Sequence, residues 1–217
     1  MSARIAIKVC GITEERDAHE AVHLGADALG FDFREGSARA VDPDLVRQIV
    51  ERLPAFVVTV GVFADLPLIQ VLEIARRSGV GLLQFHGDES PSFCAGAAPF
   101  RWIKAFRVDA TFDPDVLGEF PSTTYLIDAR RDGEETLQPF EWRRVRAWSA
   151  YGRIVIAGSL PPAHLAMAIE DARPYGIDVL GEVEVAPGKK DLDRLELYID
   201  SVRRAERRIA GEAGERH

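Results

Sequence analysis

Two short apolar runs in this chain end in side chains able to move protons. Cys10 closes the run in "IKVCGIT", and Asp128 closes the run in "YLIDARRDG". A third run, "LLQFHGDE", ends in Gln84 and His86, and "GSARAV" places Arg39 shortly after a fourth. Singly, each residue has an ordinary explanation. A lone cysteine in a strand is usually a small buried apolar group, a loop arginine is usually solvated, and an aspartate at a strand end often caps the helix that follows. Together they supply a thiol and a carboxylic acid that can pair as base and acid, with a guanidinium able to grip a carboxylate by two hydrogen bonds. A histidine at a strand end is a further acid or base. The last run, in "GIDVLGEVEVAPGKKD", carries Asp178 and then sets Glu182 and Glu184 two residues apart.

These residues share a purpose only if the chain brings strand ends together. Short β-branched runs are expected at 5–10, 28–33, 57–63, 81–86, 101–106, 124–128, 153–158 and 177–180. Amphipathic helical stretches alternate with them, among them 14–24, 42–52, 66–77 and 162–172. Such alternation is the pattern of βα units around a parallel sheet. Eight strands and about eight helices predict a compact (β/α)8 TIM barrel of the α/β class, in which chemistry gathers at the C-terminal ends of the strands. The rival, an open doubly wound sheet, lacks its Gly-x-Gly-x-x-Gly opening after the first strand.

Composition limits the function classes. At 217 residues and 47% apolar content the chain is read as a single domain, 1–217, with 203–217 a polar helix end or tail. The formal charge is −8, and the basic residues are dispersed or gathered in "RRAERR", a pattern expected of a solvated helix face rather than a nucleic-acid surface. Two cysteines, no secretory leader and no long apolar run predict a cytoplasmic protein with reduced thiols, binding no nucleic acid and no membrane; a monomer or homodimer is expected, without a sequence signal that chooses between them. Cys94, in "PSFCAG", is expected to be structural filler on a helix.

The motifs "KVCGIT", "GADALGF" followed by "SARAV", "VGVF", "LLQFHGDE", "LIDA" with "FEW" downstream, and "VEVAPGKKD" resemble, in order and spacing, those of the phosphoribosylanthranilate isomerase family. The resemblance runs from Ile5 to about Asp200. It implies an Amadori rearrangement needing no metal or cofactor, in which an acid opens the furanose ring of an N-ribosyl aryl amine and a base removes the proton from the sugar's C2. By matched motif, Cys10 resembles the general base, Asp128 the general acid, and Arg39 the group that binds the anthranilate carboxylate. Gln84 and His86 resemble walls of the site. Gly158, Ser159, Gly181 and Glu182 stand where the family binds phosphate. The chemistry requires Cys10 as thiolate although a free thiol has a pKa of about 8.5. It also requires Asp128 protonated although a free aspartate sits near 3.9.

Three departures from the family's pattern stand out. "IAGSLPP" and "DVLGEVE" replace a Gly-Gly pair and a Ser-Ser-Gly run, so that Leu180 and Glu182 stand where small residues would close on a phosphate. "ARRDGEETLQPFEW" carries one glycine, Gly133, where the family has a glycine-rich lid, which predicts a stiffer lid. Asp32, in "GFDF", takes an apolar position and is either an acid beside Arg39 or a residue needing its own partner. The favoured expectation is therefore an isomerase of this kind acting on an N-glycosyl aryl amine without the usual phosphate, in specialised metabolism. Two alternatives stay open: an authentic phosphoribosylanthranilate isomerase of tryptophan biosynthesis, and a barrel kept for small-molecule binding or scaffolding.

Overall fold

The structure is a computed structural model that describes residues 4–129, 141–158 and 160–214. Eight parallel strands close into a ring: β1 Ala6–Val9, β2 Ala28–Asp32, β3 Val58–Phe63, β4 Leu82–Phe85, β5 Arg101–Arg107, β6 Thr124–Asp128, β7 Arg153–Ala157 and β8 Gly176–Val179. The closure is β1 against β8, in a register that sets Lys8 opposite Asp178. Each expected strand is present, with no end moved by more than one residue.

The helices are α1 Glu15–Leu24, α2 Pro43–Val50, α3 Leu68–Ser78, α4 Pro91–Ala95, α5 Trp142–Val145, α6 Pro162–Ala172 and α7 Leu192–Gly214. Their boundaries follow local chemistry. Asp42 accepts from Asp44 N with Pro43 opening α2, and Ser90 accepts from Phe93 N with Pro91 opening α4. Gly25 ends α1 at φ 110°, a left-handed conformation that favours glycine. With seven α-helices among the described residues and a 3-10 helix in the remaining connection, the expectation of about eight helices holds. Between β5 and β6 there is only a six-residue 3-10 turn, Pro114–Glu119, bounded by "FDP" and "FPS". Prolines at both borders leave no room for a longer helix.

Strand alternation sorts the side chains into two cores. Ile7, Val9, Leu29, Phe31, Leu83, Phe85, Tyr125, Ile127, Ile154, Ile156, Ile177 and Val179 point outward and pack under the helices. Inside the ring, Ala105, Leu126, Val155 and Ala157 form a small separate apolar cluster. The inward positions nearer the C-terminal mouth are polar instead: Lys8, Gln84, Asp128 and Asp178 are all buried there. Emptying a filled inward position, as in Leu126→Ala, is expected to cost about 2–5 kcal/mol. Alternation thus aims the polar residues at a common mouth and uses the outward set to hold the strands that carry them.

The long α7 buries Leu195, Tyr198, Ile199, Val202 and Ala205. Within the C-terminal basic cluster, Arg203 donates to Ile5 O at 2.7 Å and Glu206 accepts from Ile5 N at 2.7 Å. The expected solvated face is therefore partly a clamp on the chain just ahead of β1. Cys94 is fully buried on α4, and both cysteines are free. No helix among the described residues is long and apolar enough to cross a membrane.

Candidate active site

A cavity of about 180 Å³ opens at the C-terminal ends of the strands, lined by Cys10, Arg34, Val62, Gln84, His86, Arg107, Asp128, Ala157, Gly158, Asp178 and Leu180. A wider groove of about 700 Å³ lies at the other end of the barrel, beside Arg153, Arg173 and Tyr175. That end is the stability face of such barrels. The smaller cavity, despite its size, holds the expected proton-transfer groups.

Cys10 follows β1 directly, and its thiol is buried beside Lys8, two residues earlier on the same inward face. Burial is the largest influence on the Cys10 thiol and leaves its pKa above the ordinary value; the Lys8 ammonium opposes the rise and the Asp178 carboxylate adds to it. Lys8 reaches both carboxylate oxygens of Asp178 at 2.9 Å, deep in the ring. Asp178 thus enters as the partner of Lys8 and as a wall of the cavity. On the far side, Asp128 closes β6 with His86 Nε2 3.4 Å from its Oδ2. Gln84 sits between the walls, with Nε2 3.4 Å from His86 Nδ1 and Oε1 buried without a hydrogen-bond partner among the described residues. An unmet buried acceptor facing a cavity is a ready contact for a ligand hydroxyl.

The two arginines divide differently from expectation. Arg39 is not among the residues lining the cavity, and Glu184 holds it through Nε at 3.0 Å and Nη2 at 2.6 Å. Glu184 also accepts from Gly188 N at 3.1 Å and Lys190 Nζ at 2.9 Å. Burial opposes the Glu184 charge, but the bonds from Arg39 and Lys190 outweigh it and hold the carboxyl below its ordinary range. Glu184 therefore joins the loop after β8 to Arg39 and Lys190. The guanidinium that reaches the cavity is Arg34, which sequence reasoning passed over. Asp32 faces inward from β2, like Gly30, and binds Arg34 Nε at 2.9 Å and Nη2 at 2.7 Å, with Ser37 Oγ also at 2.7 Å. Although burial works against it, these bonds keep Asp32 below the usual carboxylate range. It is the partner of Arg34, not an acid beside Arg39. The pair was readable in "DFR", since residues i and i+2 at a strand end can share one direction. Arg107, at the end of β5 and opposite Asp128 in register, was missed because the expected strand stopped one residue short.

At the β7 and β8 loops, Gly158 lines the cavity at φ 114°, a backbone angle that favours glycine. Leu180 lines it too, and its Cδ1 lies 2.6 Å from where a Cβ on Gly11 would stand. Gly181 is exposed and does not line the cavity. Glu182 is half-buried and turns its carboxylate onto the loop after β7, where Oε1 accepts from Leu160 N at 3.3 Å. Ser159 and the loop 130–140, with Gly133, lie outside the described residues. The "HGDE" stretch is structural beyond His86: Glu89 is buried, accepts from Gly87 N and Asp65 N, and pairs with Lys104 Nζ at 3.2 Å. Among the described residues no group of three or more His, Cys, Asp and Glu side chains is arranged to hold a metal ion.

The profile described as "PRAI: N-(5'phosphoribosyl)anthranilate (PRA) isomerase" matches residues 7–201. The chain is 42% identical over 198 residues to the N-(5'-phosphoribosyl)anthranilate isomerase of Geobacter metallireducens, covering 90% of this chain and 97% of that one. Among solved structures, the phosphoribosyl anthranilate isomerase of Thermotoga maritima superposes with a TM-score of 0.85 at 34% identity, over 92% of this chain and 98% of that one. A phosphoribosyl anthranilate isomerase in complex with reduced 1-(o-carboxyphenylamino)-1-deoxyribulose 5-phosphate gives a TM-score of 0.82 at 33% identity, with the same coverage.

Proposed function

The chain belongs to the N-(5'-phosphoribosyl)anthranilate isomerase family, and from that premise we propose that it catalyses the Amadori isomerisation of N-(5'-phosphoribosyl)anthranilate in tryptophan biosynthesis, in the cytoplasm. The observation that carries the reading is one cavity walled by Cys10 from β1 and Asp128 from β6, with an arginine between the mouths of β2 and β3. Asp128, as a carboxylic acid, protonates the furanose ring oxygen, and the C1–O bond breaks to give the open-chain iminium. The Cys10 thiolate then takes the proton from C2, the electron pair moves into the C1–C2 bond, and the resulting enolamine tautomerises to the ketone. Both steps are proton transfers, each typically worth about 10²–10⁴-fold in rate. Gln84 is suited to a sugar hydroxyl and Arg34 to the aryl carboxylate.

One observation favours a second reading, in which the substrate is an N-glycosyl aryl amine lacking the phosphate. The Leu160 N–H, in the loop where such barrels receive phosphate, already donates to the Glu182 carboxylate. The same assay separates the two readings. The purified protein is given N-(5'-phosphoribosyl)anthranilate and, in parallel, its dephosphorylated counterpart. The first reading expects turnover of the phosphorylated compound, falling at least about 100-fold in Cys10→Ala and in Asp128→Asn. Turnover of the dephosphorylated compound alone would establish the second. Wild-type rates that Cys10→Ala leaves unchanged would overturn both.

A further inference from the structure

The buried ammonium of Lys8 is absorbed by neither the fold nor the substrate. Its three protons can be traced. Two go to Asp178 Oδ1 and Oδ2, each at 2.9 Å. The third is not taken by Asp178, and Cys10 is the neighbouring side chain that it faces across the gap at Gly30. The two groups converge in a space left open by β2. A Cβ on Gly30 would lie 2.7 Å from Cys10 Sγ and 2.9 Å from Lys8 Nζ, too close for any side chain. A glycine in a strand interior marks such a close approach.

We propose that Lys8, anchored by Asp178 and given room by Gly30, is the positioning residue that holds the Cys10 thiolate by a charge-assisted hydrogen bond. The inference rests on the reading of Cys10 as the base. A thiol buried like this one needs a fixed cation to ionise, because burial disfavours its charged form. Lys8 is the cation suited to it. Burial alone would discharge an ammonium, but Asp178 and Cys10 together outweigh burial and keep Lys8 above its ordinary value. The other charged groups around Cys10 are committed elsewhere. Arg34 is clamped by Asp32 and Arg39 by Glu184. Lys190 donates to the Cys10 carbonyl at 2.5 Å and to Glu184. Asp128 and His86 stand on the opposite wall of the cavity.

The test reads the thiol directly, without substrate. In a Cys94→Ala background, the rate of Cys10 alkylation by iodoacetamide is followed from pH 6 to pH 11. Cys94 itself is held up to about 11 by burial, and its removal is expected to leave turnover unchanged. Lys8→Met is expected to move the alkylation profile upward by at least about one pH unit, a tenfold loss of reactivity on its lower limb. Where Lys8→Met fails to fold, the neutral pair Lys8→Met with Asp178→Asn is used, and its profile is also expected to move upward. Gly30→Ala is expected to act in the same direction by parting the two groups. Lys8→Arg should restore part of the shift. Where the chain turns over substrate, the alkaline displacement should appear in the kcat/KM profile as well. A folded lysine-free variant whose alkylation profile superimposes on that of the parent would overturn the assignment, whatever the substrate proves to be.

Discussion

Replacing Glu182 by Gln should improve the grip on a phosphorylated substrate while leaving an unphosphorylated one unchanged. Glu182 Oε1 lies 3.3 Å from Leu160 N, on the loop after β7. A phosphate oxygen taking that N–H would sit about 2.9 Å from the nitrogen, which brings the charge centres within about 5 Å. At that separation each unit pair repels by about 1 kcal/mol in bulk water and about 3 kcal/mol at the effective dielectric of a protein surface. A phosphate with nearly two charges doubles these figures. Glu182 is only half-buried, so the carboxylate can swing outward and relieve part of the repulsion. The net penalty is placed at about 1.5–3 kcal/mol, or roughly 10- to 100-fold in affinity. Gln keeps the shape and can still accept from Leu160 N, so the change isolates charge from packing.

The assay is KM for N-(5'-phosphoribosyl)anthranilate beside that for its dephosphorylated counterpart, at low and high salt. Glu182→Gln should lower the first by roughly 10-fold or more, leave the second unchanged, and lose much of its advantage at 1 M salt, where the Debye length falls to about 3 Å. Equal effects on both compounds, or none on either, would refute the argument that Glu182 faces the phosphate.

The arginines give a paired test. Arg34→Met should weaken binding of the carboxylate-bearing aryl amine by roughly 10-fold or more, while an aniline analogue lacking the carboxylate binds as before. Arg39→Met should instead lower thermal stability, by about 1–3 kcal/mol, because it leaves the buried Glu184 with only Lys190 and the Gly188 N–H; selective loss of the carboxylate substrate in Arg39→Met alone would reverse the assignment. The pH dependence of stability follows from Asp32 and Glu184, whose folded pKa values lie below the unfolded ones. Their contribution is full above the unfolded carboxylate range, near pH 4, and is lost as pH falls through the lower folded values. Chemical denaturation at pH 7 and pH 3 should show a smaller pH difference in Glu184→Gln than in the parent.

The barrel was legible because its signals are local. Runs such as "TYLID" and "RIVIA" need only their alternation to be read, and alternation also determines that Lys8, Cys10, Gln84, Asp128 and Asp178 face one lumen. Long-range partnership was not legible, because it depends on residues far apart in the chain. Nothing in "SARAV" indicates that Arg39 is taken by Glu184, 145 positions later, so the arginine at the matched position was expected in the cavity and Arg34 was not. Lys8 was invisible for a related reason. Beside Cys10 in the sequence it reads as a charge in a strand, and only the ring closure that sets it opposite Asp178 makes it the cation of the site.

The same division applies to the loop after β8. Its departure from the family's small residues was plain in "DVLGEVE", but the consequence depends on two different contacts. Leu180 enters the cavity and narrows it over Gly11. Glu182 leaves the cavity for the Leu160 N–H. Their effects on a substrate are therefore separable: Leu180 limits shape, which alters phosphorylated and unphosphorylated compounds alike, whereas Glu182 acts through charge on the phosphate alone. Leu180→Ser should then change kcat/KM for both compounds in the same direction, and combined with Glu182→Gly it should favour the phosphorylated compound by no more than the Glu182 change does by itself. A double variant that gains far more than the two single changes together would show that the leucine and the glutamate close on one common group, and the separation argued from their positions would fail.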